Sequence, residues 1–132
     1  MKKVYFAISY ANKDLFKEEI KALETIFSKY NIELLVFVNN YNFKPNEEKE
    51  MMQTAFNEID SSDFLVAELT TKSIGVGIEI GYAFAKNKPI IYLKKKNAAY
   101  STTAAGSAFA TIEYSTTKEL LLAVDKLIIT LS

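Results

Sequence analysis

Two glycines stand just ahead of a single acidic residue in the run Ile74-Gly75-Val76-Gly77-Ile78-Glu79-Ile80-Gly81-Tyr82-Ala83, which otherwise reads as buried. A carboxylate in such surroundings is expensive to keep unless something satisfies it. Glu79 therefore has two readings. It is a structural group, capping a helix or bonded to a tyrosine such as Tyr5 or Tyr82, or it is a functional one facing a crevice, and the residues alone leave both open. The glycines let a backbone approach a sugar or phosphate closely, with helix-terminal amides free to bind an anion. The spacing Gly75-x-Gly77 lacks the third glycine of the dinucleotide fingerprint, and no acidic residue ends the second strand, so an NAD site is not indicated.

Composition narrows the chemistry further. The 132 residues include no cysteine and no histidine, and every one of the 16 basic residues is a lysine. Thiolate nucleophiles, Ser-His-Asp triads, disulfides and ordinary zinc sites are excluded together. Without arginine there is no bidentate fork for a phosphate or carboxylate. A carboxylate-only metal site has no supporting cluster, so neither metal nor cofactor is expected. The 16 lysines balance 16 acidic residues, which gives no global field to attract nucleic acid or an anionic membrane. No apolar run approaches ~18 residues and no signal peptide is evident, which predicts a soluble cytoplasmic protein. Carboxylates, hydroxyls and backbone amides must carry any catalysis.

The elements that position Glu79 follow from periodicity. Asp63 to Leu69 is a short apolar strand and Lys88 to Leu93 another; with a glycine-bearing turn and a short helix between them they form a βαβ unit. Lys3 to Ile8 is a first strand, apolar nearly throughout, as a strand covered on both faces should be. Ser9 to Asn12 is a loop, with Asn12 a candidate N-cap for a helix carrying Leu15, Phe16, Ile20, Leu23, Ile26, Phe27 and Tyr30 at helical spacing. Ile32 to Val38 is the second strand. Asn39 to Asn46 is a polar and aromatic loop, either an ordinary surface loop or one that closes over a ligand. Asn46-Glu47-Glu48 caps a helix reaching about to Asp60. Lys94-Lys95-Lys96 breaks the strand pattern, as solvated loop lysines or as an attraction for phosphate. Tyr100 to Ser107 is small, hydroxyl-rich and suited to a binding loop. Phe109 to Tyr114 is a fifth strand, and Thr116-Thr117-Lys118-Glu119 is a capping box for a last helix ending near Leu131. The order predicts one domain over 1–132: a doubly wound α/β (flavodoxin/Rossmann-like) fold, a five-stranded parallel sheet flanked by helices.

The segments Ser62 to Leu69, Ser73 to Ala83 and Lys88-Pro89-Ile90 resemble the nucleoside 2-deoxyribosyltransferase superfamily, most closely its 2′-deoxynucleoside 5′-phosphate N-hydrolase branch. The likeness runs from Val4 to about Tyr114. It implies a retaining reaction at a deoxyribose anomeric carbon, with Glu79 as the nucleophile that forms a glycosyl-enzyme. Water resolves that intermediate in a hydrolase, and a second base in a transferase. The same resemblance gives Ser9 and Ser73 to the 5′-phosphate and Tyr5 to the pocket lining. Gly75 and Gly77 give close backbone approach to the substrate. Ser101 matches a serine contributed from a neighbouring subunit, which implies a homodimer or higher homo-oligomer around a small-molecule nucleoside or nucleotide.

Two positions depart from that pattern. Where the hydrolases carry an aspartate that protonates the leaving base, eight residues before Asp63, this chain has Ala55. Glu58 lies one turn on, towards the other end of the sheet, and Glu68 is the candidate substitute acid, with a structural role as its alternative. The phosphate-clamping arginine is also missing: Ala11 stands two residues after Ser9. The sequence therefore carries two expectations of different class, a base–deoxyribose N-glycosidase or N-deoxyribosyltransferase and a catalytically silent nucleotide-binding module on the same scaffold. A flavodoxin-like electron carrier is disfavoured because Ser9-Tyr10-Ala11-Asn12-Lys13 is too poor in Ser, Thr and Gly for a phosphate loop.

Overall fold

The computed structural model describes residues 2–131; Met1 and Ser132, the ends of the expected 1–132 domain, lie outside the described residues. Five strands run β1 (Lys2–Ala7), β2 (Ile32–Val36), β3 (Phe64–Glu68), β4 (Ile90–Lys95) and β5 (Ala110–Tyr114). The helices are α1 (Lys17–Lys29), α2 (Phe37–Asn40), α3 (Glu48–Asp60), α4 (Ile74–Ala85), α5 (Thr102–Ser107) and α6 (Thr117–Leu131). All four strand pairings are parallel, in the order β2-β1-β3-β4-β5. The direction of strand addition reverses between β1 and β3, and sheets of this kind bind ligands beyond the carboxyl ends of the strands at such a point.

Alternation along the strands sends side chains to two cores. Val4, Phe6, Val66 and Leu93 pack with Leu23 and Phe27 of α1 and Leu120 and Val124 of α6. Tyr5, Ala7, Leu65, Ala67 and Tyr92 pack on the opposite face with Ala55 and Ile59 of α3, Val76, Ile80 and Ala83 of α4, and Ala104 of α5. Burial on both faces explains the continuous apolar strands. Among the described residues no helix is long and apolar enough to cross a membrane.

Several local expectations are corrected. The glycines Gly75 and Gly77 do not form a turn: α4 begins at Ile74 and both are helical, with Ser73 as N-cap accepting from the Val76 N–H at 3.3 Å. Tyr10–Phe16 is a 3₁₀ helix, so Asn12 lies inside a helical turn and caps nothing. β2 stops at Val36, because the chain turns into α2 and places Phe37 against Tyr5, ring centroids 5.7 Å apart. The start of α3 falls within the expected Asn46-Glu47-Glu48, with Glu47 in the N-cap position, though its carboxylate accepts from the Lys44 N–H at 2.7 Å rather than from the helix. Lys94 and Lys95 belong to β4, and Lys94 is only 2% exposed. Its ammonium is satisfied by Glu113 at 3.0 Å and by two backbone carbonyls, as a buried cation requires. The segment after Tyr100 is partly helical, with Ser101 capping α5. The capping box holds: Glu119 accepts from the Ser115 and Thr116 N–H groups, and Thr116 Oγ1 accepts from the Glu119 N–H.

Candidate active site

Glu79 sits in the second turn of α4 and is 9% exposed. Its carboxylate accepts a short hydrogen bond from the hydroxyl of Tyr5, a fully buried residue in the middle of β1. The bond joins β1 to α4 on the sheet face that α3 and α4 cover. Burial pushes the Glu79 carboxyl up to about 7, opposed by the Tyr5 hydrogen bond, which favours the ionised form. The Tyr5 phenol moves up strongly, through its own burial and the neighbouring Glu79 charge. Glu79 is thus a carboxylate whose charge turns on near neutrality, held in one orientation. That is what a buried nucleophile needs.

Gly75 precedes Glu79 by one turn and shares its helix face, and a methyl group added there would meet only Ser73 Oγ, at 3.9 Å. Gly77 faces the other way. With Ser73, Gly81, Ser101, Thr103 and Ser107 it lines a cleft of about 380 Å³ between α4 and α5. A methyl group added at Gly77 would meet nothing within 4 Å. The predicted residues therefore fall into two groups. Tyr5, Gly75 and Glu79 form the carboxylate side, while Ser73, Gly77 and Ser101 form the cleft across α4. Ser9 follows β1 at the carboxyl end of the sheet and is half-buried.

Glu68 belongs to neither group. Strand alternation turns it to the opposite face of the sheet from Tyr5, and it is 3% exposed. The Tyr114 hydroxyl donates to it at 2.7 Å and the Thr70 N–H at 2.6 Å. Desolvation raises its carboxyl above the usual range. Its geometry is that of a satisfied structural group, and as substitute acid it is on the wrong face. Ala55 is 1% exposed and packs in the core with Tyr5.

The loop expected either to lie on the surface or to close over a ligand supplies two rings of an aromatic wall beside Tyr5, and Phe37, expected in a strand, supplies the third. Phe37 lies 5.0 Å from Tyr41 and 6.1 Å from Phe43, centroid to centroid, and Tyr41 and Phe43 stack at 5.9 Å with 19° between planes. The Tyr41 hydroxyl donates to Glu58 at 2.6 Å, and Lys3 pairs with the same carboxylate at 2.9 Å. Those hydrogen bonds and the Lys3 charge offset a desolvation penalty and leave the Glu58 carboxyl below its usual range. The available signal was Tyr41-x-Phe43, two aromatics in a loop otherwise rich in asparagine.

The profile of the nucleoside 2-deoxyribosyltransferase family matches residues 4–125. A search of curated proteins finds no match. Among solved structures, the chain is similar to a CMP N-glycosidase of Clostridium botulinum, with 22% identity over 94% of this chain and 99% of that one and a TM-score of 0.71. A 2-deoxyribosyltransferase of Bacillus psychrosaccharolyticus superposes with a TM-score of 0.76 at 17% identity, covering 98% of this chain and 95% of the other. That of Leishmania mexicana gives 0.67 at 12% identity, over 96% and 98%. At these identities the superpositions show a shared fold, whereas the profile match spans nearly all of the sequence. The chain belongs to the nucleoside 2-deoxyribosyltransferase family.

Proposed function

We propose that this protein cleaves the base–deoxyribose bond of a 2′-deoxynucleoside or its 5′-monophosphate, with Glu79 as the nucleophile. The observation that carries the reading is a buried carboxylate, oriented by a residue of β1, the strand beside which strand order reverses, in a chain of this family. One Glu79 oxygen attacks C1′ as the C1′–N bond breaks, through an oxocarbenium-like transition state, and a glycosyl ester forms. Tyr5 fixes the attacking carboxylate and stabilises its charge. Water or a second base then displaces the carboxylate from C1′, so the configuration is retained overall.

Ser9 and Ser73 are the hydroxyls for a 5′-phosphate, and the α4 N-terminus offers its amides to the same group. The resemblance of the fold to a CMP N-glycosidase is compatible with a monophosphate. Ser101 is assigned to the site of a second copy. It lies across α4 from its own chain's Glu79. Ile74, which lines the same cleft as Ser101, is 85% exposed, and the neighbouring Tyr100 is exposed too, apolar area suited to cover by another subunit.

The test is product analysis with deoxynucleosides and their 5′-monophosphates, for wild type and Glu79→Ala, with and without a second free base. Base released only by wild type supports a glycosidase, and base exchange supports a transferase. A second reading, a silent nucleotide-binding module, is favoured by the methyl group of Ala55 where an acid is expected. It predicts binding by both proteins and turnover by neither.

A further inference from the structure

We propose that the preferred substrates are N-glycosides whose heteroaromatic base carries a permanent positive charge, such as a pyridinium or an N-alkylated purine, stacked against Tyr41 and Phe43. This inference rests on Glu79 being the nucleophile.

A neutral base leaves C1′ as an anion unless it is protonated, and a missing general acid costs roughly 10²- to 10⁴-fold in rate. Position 55 supplies only a methyl group, packed in the core. The hydroxyl hydrogens of Tyr5 and Tyr41 are both committed to carboxylates, those of Glu79 and Glu58. Glu58 is ion-paired with Lys3 and so has no proton to give. Glu68 is on the other face of the sheet, bonded to Tyr114. The chain has no histidine or cysteine to take over. A cationic base needs none of these. When Glu79 forms its bond to C1′, the C1′–N electron pair returns to the positive ring, and the base departs neutral. Water then attacks C1′, the carboxylate is released, and one proton passes to solvent. Atoms and charge balance without an acid.

Phe37 is buried, whereas Tyr41 and Phe43 are half-buried and stack with nearly parallel planes. Aromatic faces attract a flat cation electrostatically, and the ionised Glu79 adds to that attraction. The acceptor Glu58 draws the Tyr41 hydroxyl hydrogen outward and leaves an electron-rich ring. The Lys3–Glu58 pair is neutral overall, so it does not repel a cation. No arginine competes for the ring faces.

The test measures base release from nicotinamide 2′-deoxyriboside, a permanent cation, and from 2′-deoxycytidine, a neutral base of the same ring size, after subtraction of uncatalysed rates. Both are run as nucleosides and as 5′-monophosphates, with wild type and Glu79→Ala. We expect kcat/KM for the cation to exceed that for the neutral substrate by at least ~100-fold, the scale of one general acid. Tyr41→Leu should raise KM for the cation by about tenfold, more than for 2′-deoxycytidine, and Tyr41→Phe should keep the preference because it keeps the ring. Glu79-dependent release of cytosine as fast as that of nicotinamide overturns this inference while leaving the glycosidase reading standing. An equal KM change for both substrates in Tyr41→Leu overturns the stacking part. Release from neither substrate overturns the parent reading, and this inference with it.

Discussion

The Tyr5 hydroxyl donates to Glu79 Oε2, joining a residue of β1 to a residue of α4 that lies 74 positions later. Because the bond favours the ionised carboxylate while burial opposes it, the pair sets the pH at which Glu79 acquires its charge. The kcat/KM profile should rise with pH through about 7 on its acidic limb. In Tyr5→Phe the lowering hydrogen bond is gone, so the limb should move to higher pH, with a lower plateau. A limb unmoved by Tyr5→Phe would assign it to another group.

The same raised carboxyl predicts a stability change, with its sign fixed by linkage. The folded state holds a proton on Glu79 up to about 7, whereas an ordinary carboxyl loses it near 4.5. That contribution is fully present below about pH 4.5 and is lost as pH rises through about 7. A shift of this size corresponds to something on the order of 3 kcal/mol. Glu79→Gln cannot ionise and should be more stable than wild type at pH 8, with the gap closing towards pH 5, by denaturant titration at both values.

Glu68 should behave as a structural residue. Glu68→Ala leaves the Tyr114 hydroxyl and the Thr70 N–H without their acceptor, which should cost about 1–3 kcal/mol in chemical denaturation. Glu68→Gln retains an acceptor oxygen and should recover much of that loss. Since Glu68 faces away from Tyr5, Glu68→Gln should keep Glu79-dependent turnover within about twofold, compared with the roughly 10²-fold or greater loss expected for a general acid.

If the proposed reading holds, Ala55→Asp should supply a proton donor for the leaving base. Turnover of a neutral-base substrate should rise, by up to roughly 10²-fold, with a new limb in the pH profile falling on the alkaline side. The cost is stability, because the added carboxyl enters a packed core, and about 1–3 kcal/mol of destabilisation is expected. An inactive but folded Ala55→Asp would argue against a simple loss of the acid.

Ile74→Lys and Ile78→Lys, on the exposed face of α4, should leave the monomer fold intact, since neither side chain enters a core. If the proposed assembly holds, light scattering should then report a smaller species than wild type, with activity falling in step. An unchanged mass would remove this surface as the subunit contact.

How much of this was readable in the sequence depends on whether local chemistry or tertiary pairing decides. Strands such as Tyr5 to Ala7 and Leu65 to Ala67 read clearly because both faces are buried, and the topology followed from their alternation with helices. Glu79 was legible because a lone carboxylate in an apolar run demands a partner, and Tyr5 was one of the two anticipated. Lys94 was not, since a lysine looks solvated until its strand neighbour Glu113 and two carbonyls are known. The end of β2 was missed because Val36-Phe37-Val38 is continuous apolar sequence, and only packing of Phe37 on Tyr5 turns it into a helix. The Tyr41–Glu58 pair was hidden for the same reason: its residues lie 17 apart, joined by the path of α2 and the loop into α3.

The central claim, that Glu79 is the nucleophile, is tested most directly by intact-protein mass spectrometry with peptide mapping. A 2′-fluoroarabinosyl nucleoside whose deglycosylation is slow would serve as the trap. The account predicts one glycosyl adduct per chain, mapped to the peptide holding Glu79 and absent from Glu79→Gln. An adduct on another residue, or base release from wild type in single turnover with no adduct at any time point, would contradict it.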